Sequence, residues 1–162
     1  TKVFTKEEKG IITNSNDPEI TLWLLWSMKE AVYKAHQRNF SLTRTLNPQA
    51  FSCTLNAAGN KGTVKIGEYD YHVESEANSE YIHSQTSVQH TFQKIYRKIK
   101  PTKEQILDDL CSSLNLDRSA FRFEKDGNGI PSWVEHNTTK KLPFSLSHHG
   151  NFTAFVIPLI NS

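Results

Sequence analysis

Two hydrophobic periods run along this chain, and the places where one gives way to the other divide it into helices and strands. Residues 102–114 put Ile106, Leu107, Leu110 and Leu114 on one stripe at helical spacing. Thr102 and Gln105 stand three apart, the reciprocal pairing that satisfies the first free N–H groups of a helix. The same pairing of Thr5 with Glu8 predicts a short helix over residues 5–12. A stronger start lies at Asp17, Pro18 and Glu19: a side-chain cap, a proline where no N–H is missed, and a carboxylate at the positive end of the dipole. It predicts a helix over 18–37. Alternation at period two predicts strands at 51–55, 63–66, 69–75 and 81–87, with 57–62 as a loop and Gly67 and residues 77–79 as breaks, which together make a small meander. Residues 92–100 fit either period. Residues 121–124 alternate, residues 126–129 read as a turn, and 144–149 with 152–159 form a closing hairpin about Gly150-Asn151. The expectation is an α+β fold, a single lobe with its central helix packed on a small antiparallel sheet.

Length and composition narrow this picture. At 162 residues and 18.5 kDa the chain suits one domain over 1–162, large enough to bury a core without a disulfide. A formal net charge of +2 argues for neither nucleic acid nor an anionic membrane as partner. The longest apolar run, residues 22–26, is far below the roughly 20 residues that cross a bilayer. The two cysteines, Cys53 and Cys111, lie far apart without a CxxC partner; this suits a reducing compartment and offers no zinc framework, so a cytoplasmic location is expected. The opening Thr1-Lys2-Val3-Phe4 reads as an arrival from upstream.

The long helix carries charge where little water is expected. On a wheel at about 100° per residue, Leu22, Trp23, Leu24, Leu25, Trp26, Met28, Val32, Tyr33 and Ala35 spread round most of the circumference, as in a central, largely covered helix. Lys29 nevertheless falls between Leu25 and Leu22, and Glu30 and Lys34 sit one turn apart beside Trp23 and Trp26. Removing a charge from water costs several kcal/mol, whereas an exposed Glu–Lys pair one turn apart returns about 0.2–0.5 kcal/mol. Two readings follow: a rim salt bridge between Glu30 and Lys34 with Lys29 snorkelling outward, or a site that uses a carboxylate and an ammonium, such as a phosphate and metal site. In the closing hairpin Phe144, Leu146 and His148 share one strand face, and Ser145, Ser147 and His149 the other. The adjacent histidines therefore do not form a two-histidine metal site, and His148 alone reads more readily as a core histidine than as a functional one.

Taken together, these segments resemble a known family. Trp26-Ser-Met-Lys29-Glu30-Ala31-Val-Tyr-Lys34 is similar to the WxxKEAxxK motif of the 4′-phosphopantetheinyl transferase superfamily. Phe144-Ser-Leu-Ser147-His148, followed by Ala154-Phe-Val156-Ile157, resembles the closing strand pair of its holo-acyl-carrier-protein synthase branch. Asp126-Gly-Asn-Gly129-Ile130-Pro131 resembles that branch's G-K-P turn, and Phe4-Thr5-Lys-Glu-Glu8 its F-T-x-x-E helix start. Three departures stand beside the likeness. No GxD strand, whose Asp is a metal ligand in the family, precedes Phe4, and it is expected upstream of Thr1. Asn128 occupies the turn where the family has Gly next to Lys. Residues 63–100 are longer than the compact synthases have there.

The resemblance implies transfer of 4′-phosphopantetheine from coenzyme A to a serine of an apo acyl or peptidyl carrier protein, with release of 3′,5′-ADP and with Mg²⁺ as cofactor. Carried over residue by residue, Glu30 would be a catalytic residue and Mg²⁺ ligand, and Lys34 would contact phosphates and assist proton transfer. Lys29 and His148 would line the coenzyme A pocket, and Pro131 would wall its adenine side. A single lobe of this size points to self-association. The basic run Lys94, Arg97, Lys98, Lys100 and Lys103 would steer an acidic carrier, or form a solvated face. Two other readings compete: a non-catalytic member of the same fold that binds coenzyme A or a carrier, and nucleic-acid binding through residues 94–103, which the modest charge disfavours.

Overall fold

The computed structural model describes residues 2–86, 91–97, 99–138 and 140–158, in two compact units over Thr1–Val88 and Gln89–Ser162. Ser87, Lys98 and Leu159, named in the expectations above, lie outside the described residues.

The first unit opens with helix α1 (Lys6–Thr13) and the long helix α2 (Pro18–Phe40), each started by the signals legible in the sequence. The Thr5 amide donates to Glu8 Oε2 at 2.8 Å while the Glu8 amide donates to Thr5 Oγ1 at 3.2 Å. Asp17 Oδ1 accepts from the Ile20 amide at 3.0 Å. Helix α2 stops where Ser41 turns left-handed, at φ 50°. After a 3-10 turn (Pro48–Ala50), strands β1 (Phe51–Leu55), β2 (Lys61–Ile66), β3 (Tyr69–Ala77) and β4 (Ile82–Gln85) form an antiparallel meander in the order β1-β2-β3-β4. Leu24, Leu25, Met28 and Val32 of α2 pack on Phe51, Cys53, Val64 and Val73 of the sheet, joined by Phe4. Gly62 lets helix and sheet approach this closely: a Cβ there would lie 2.2 Å from the Thr54 carbonyl oxygen and 2.6 Å from Met28 Cε. The expected helix on a small antiparallel sheet is thus present. Of the nine apolar positions expected to spread round α2, Trp23 is exposed and the other eight are buried or half-buried, as in a largely covered helix.

The second unit contains β5 (Thr91–Arg97), α3 (Lys103–Ser113), a 3-10 turn (Arg118–Ala120), β6 (Phe121–Lys125), β7 (Pro131–Glu135), β8 (Lys141–Pro143), β9 (Ser145–His149) and β10 (Phe152–Pro158). They make two antiparallel three-stranded sheets, β5-β10-β9 and β6-β7-β8. Of the ambiguous segment 92–100, residues 92–97 belong to strand β5, which pairs with β10 from Thr91 opposite Pro158 to Arg97 opposite Phe152, while Ile99 and Lys100 lie in neither helix nor strand. Ile106, Leu107, Leu110 and Cys111 of α3 pack with Phe121, Trp133, Phe144, Phe155 and Ile157. The rings of Phe144 and Phe155 stack at 5.6 Å, and those of Phe121 and Trp133 lie 4.7 Å apart. Cys53 and Cys111 are free thiols, each buried. No helix among the described residues is long and apolar enough to cross a membrane.

Candidate functional site

The three charged positions of α2 separate by face. Lys29 points into the core of the first unit, with its side chain wholly enclosed, so the outward-snorkelling reading does not hold. Its ammonium lies 2.7 Å from Glu8 Oε2 and donates to the carbonyl oxygens of Val3 at 3.1 Å and Pro48 at 2.8 Å. A lysine has three N–H donors, and all three are engaged. Where the resemblance implied a coenzyme A contact, the structure leaves no N–H of Lys29 for a phosphate. Glu8, also fully buried, accepts from the Thr5 amide through Oε2 and from the Cys53 amide through Oε1 at 2.9 Å. Burial, with the Glu8 charge beside it, pushes the Cys53 thiol far above the usual range and leaves it an inert packing group.

Glu30 and Lys34 lie on another side of the helix, both half-buried and one turn apart with the carboxylate nearer the N-terminus. Burial lowers the Lys34 pKa below the ordinary lysine value; Glu30 opposes that shift and Arg44 reinforces it. Arg44 therefore adds a second cationic influence at this end of α2. His83 of β4 feels the Lys34 charge: burial lowers its pKa, Glu76 raises it and Lys34 lowers it. The Tyr33 hydroxyl, on the same helix, is buried with no hydrogen-bond partner among the described residues. The arrangement combines a carboxylate, a partly buried ammonium and an arginine charge that acts on it, a set suited to phosphate oxygens rather than to an apolar ligand.

Among the described residues no three His, Cys, Asp or Glu side chains gather to hold a metal. A cation at Glu30 would draw most of its ligands from substrate oxygens and water. A lone hard carboxylate fits Mg²⁺ in that mode and does not fit Zn²⁺ or Ca²⁺, which need more protein donors.

The remaining expected site residues belong to the second unit and to different sheets. Pro131 begins β7, where a strand tolerates a missing N–H, opposite Lys125. The turn before it is closed by Asp126, whose Oδ1 accepts from the amides of Asn128 and Ile130 at 2.9 Å each, with Gly129 at φ 75°. His148 lies on β9 opposite Thr153. Its core reading is overturned: along that face Phe144 is buried, Leu146 half-buried and His148 exposed, because the strand leaves the core as it reaches its hairpin. In the basic run, Lys94 is bound to Asp109 at 3.0 Å, so it is not simply a solvated charge.

Sequence reasoning missed Glu8, Arg44 and His83. Glu8 carried a signal, its spacing from Thr5, but that signal speaks only for the cap. Arg44 and His83 carried none, because a loop and a β-strand bring them to α2.

A sequence model of the 4′-phosphopantetheinyl transferase superfamily matches residues 1–92, which span the first unit and the lysine-glutamate segment of α2. No curated protein and no solved structure matches the chain. The match covers more than half of the 162 residues, and the α+β architecture of helices and antiparallel sheets is compatible with that fold. The chain belongs to the 4′-phosphopantetheinyl transferase superfamily.

Proposed function

We propose that this protein transfers 4′-phosphopantetheine from coenzyme A to a serine hydroxyl of an apo carrier protein. The observation that carries the reading is the half-buried pair Glu30 and Lys34, one turn apart on α2 within the segment that matches the family. The serine oxygen bonds to the phosphorus that carries pantetheine, and the bond from that phosphorus to the bridging pyrophosphate oxygen breaks. 3′,5′-ADP leaves. Negative charge builds on the departing phosphate, and Lys34 offsets it at a site where partial burial strengthens the attraction. Lys34, one turn from Glu30, would also exchange a proton with the attacking hydroxyl, directly or through water. Glu30 would be the protein carboxylate for Mg²⁺, which when bound neutralises pyrophosphate charge. On the second unit, Pro131 would wall the adenine and the exposed His148 ring would meet coenzyme A phosphates. The enzyme would act in the cytoplasm and as a homo-oligomer.

The test is mass spectrometry of an apo acyl carrier protein incubated with the chain, coenzyme A and Mg²⁺. A gain of one phosphopantetheine is expected. Glu30→Gln should lower the transfer rate by about 10²–10³, the scale of removing one stabilising group from a charged transition state, with the thermal unfolding midpoint unchanged. Coenzyme A binding without any mass gain would make the chain a binding member instead, and full activity in Glu30→Gln would overturn the role of Glu30.

A further inference from the structure

Lys29 stands next to Glu30 in the sequence yet serves a different end. Its ammonium and the Glu8 carboxylate, both inaccessible to solvent, tie five segments to one point. These are α2 itself through Lys29, the chain start through the Val3 carbonyl and Thr5 amide, α1 through Glu8, the 3-10 turn through the Pro48 carbonyl, and β1 through the Cys53 amide. The Phe4 ring lies 5.5 Å from the ammonium and closes the remaining side. A buried ion pair of this kind is often no more stabilising than well-packed apolar side chains of the same volume. Its distinguishing property is direction. Each hydrogen bond weakens within a few tenths of an ångström or tens of degrees, whereas apolar packing tolerates sliding and rotation.

We propose that Glu8 and Lys29 are positioning residues, which fix the rotation and axial placement of α2 so that Glu30 and Lys34 are presented in reactive geometry. The inference rests on the transfer reading given above. Neither residue touches substrate. The pair acts as a rivet beneath the site, and the family motif holds Lys29 beside Glu30 because the anchor and the reactive carboxylate must share one helical frame.

The experiment uses the full chain with Lys29→Met, Glu8→Gln and the double variant. The double variant removes both charges together, so it folds even where a single change leaves one charge stranded. Two readouts are taken: amide exchange at Thr5 and Cys53, which needs no ligand, and kcat and KM for coenzyme A in the carrier assay. In the double variant kcat should fall by more than about tenfold with KM changed by less than about threefold, the pattern of a displaced reactive group. Exchange at Thr5 and Cys53 should accelerate by more than about tenfold as the tie is lost. The double variant should be no slower than the slower single, since the two residues work as one unit. Unchanged kcat in a folded double variant overturns the proposal. So does a rise in KM at constant kcat for Lys29→Met with Glu8→Gln normal, which would make Lys29 a ligand contact. If the wild-type chain transfers nothing, the transfer reading fails by itself. In that case unchanged exchange in the double variant overturns the rivet, and accelerated exchange supports it.

Discussion

The two units hold their cores by opposite means. In the first, an ion pair sits at the centre of the apolar packing, with Gln37 and Ser84 also buried. In the second, the buried residues classed as polar reduce to Thr153 among the described residues, beside the unpartnered indole N–H of Trp133, and four rings, Phe121, Trp133, Phe144 and Phe155, pack with the aliphatic stripe of α3. Its charges lie outside: Lys94 with Asp109, Arg118 with Glu104 and Asp108, and Arg122 and Lys141 with Glu124. Ring and aliphatic packing supplies cohesion without removing a full charge from water, and the core of the second unit holds together without an enclosed salt bridge. Where one is kept, directional constraint is what it adds. The unit with the constraint is the one that carries Glu30 and Lys34.

That contrast can be broken or sharpened by urea denaturation of five variants, with Trp23 and Trp26 reporting on the first unit and Trp133 on the second. The largest effects come from Lys29→Met and Phe155→Ala, each expected to cost about 3–5 kcal/mol, the first by stranding a buried carboxylate and the second by opening a cavity. They differ in rescue. Adding Glu8→Gln should restore most of the stability lost by Lys29→Met, and a double variant as unstable as the single would erase the distinction between the cores. Next comes Gly62→Ala, which drives a methyl group into the Thr54 carbonyl and Met28 and should cost about 1–3 kcal/mol in the first unit alone. The smallest effect is acidic. The Tyr96 hydroxyl at 2.5 Å, against opposing burial and with help from Lys94, holds the Asp109 carboxyl below the ordinary carboxylate range. A depressed folded-state pKa means that the stabilisation is complete above the unfolded pKa and disappears as pH falls through the folded value. Because both charged partners are more than a third exposed, Asp109→Asn should flatten the acid limb of the second unit's stability by less than about 1 kcal/mol.

What could be read in advance follows from the range of the forces involved. Helix starts at Thr5, Asp17 and Thr102 were legible because a cap is made by residues three positions apart. Residues 91–97 were not, since their apolar spacing served either period and the choice was made by β10, more than fifty residues later. Strands β7 and β8 escaped notice because they are short, and one begins and the other ends on proline. The charged triplet on α2 was visible as an anomaly, and the Glu30–Lys34 spacing survived intact. The fate of Lys29 was hidden, because its partners are two backbone carbonyls and a carboxylate already explained as a cap. His148 was misjudged for a related reason: alternation tells which face a residue shares, not how far along the strand that face stays covered.

Two of the three acceptors around Lys29 are main-chain oxygens, at Val3 and Pro48. Every amino acid carries that atom, so drift at either position can leave the socket intact without any trace in residue identity. Only the lysine and its acidic counterpart are written in the alphabet of side chains. Comparison of distant sequences will register half of this joint and pass over the other half.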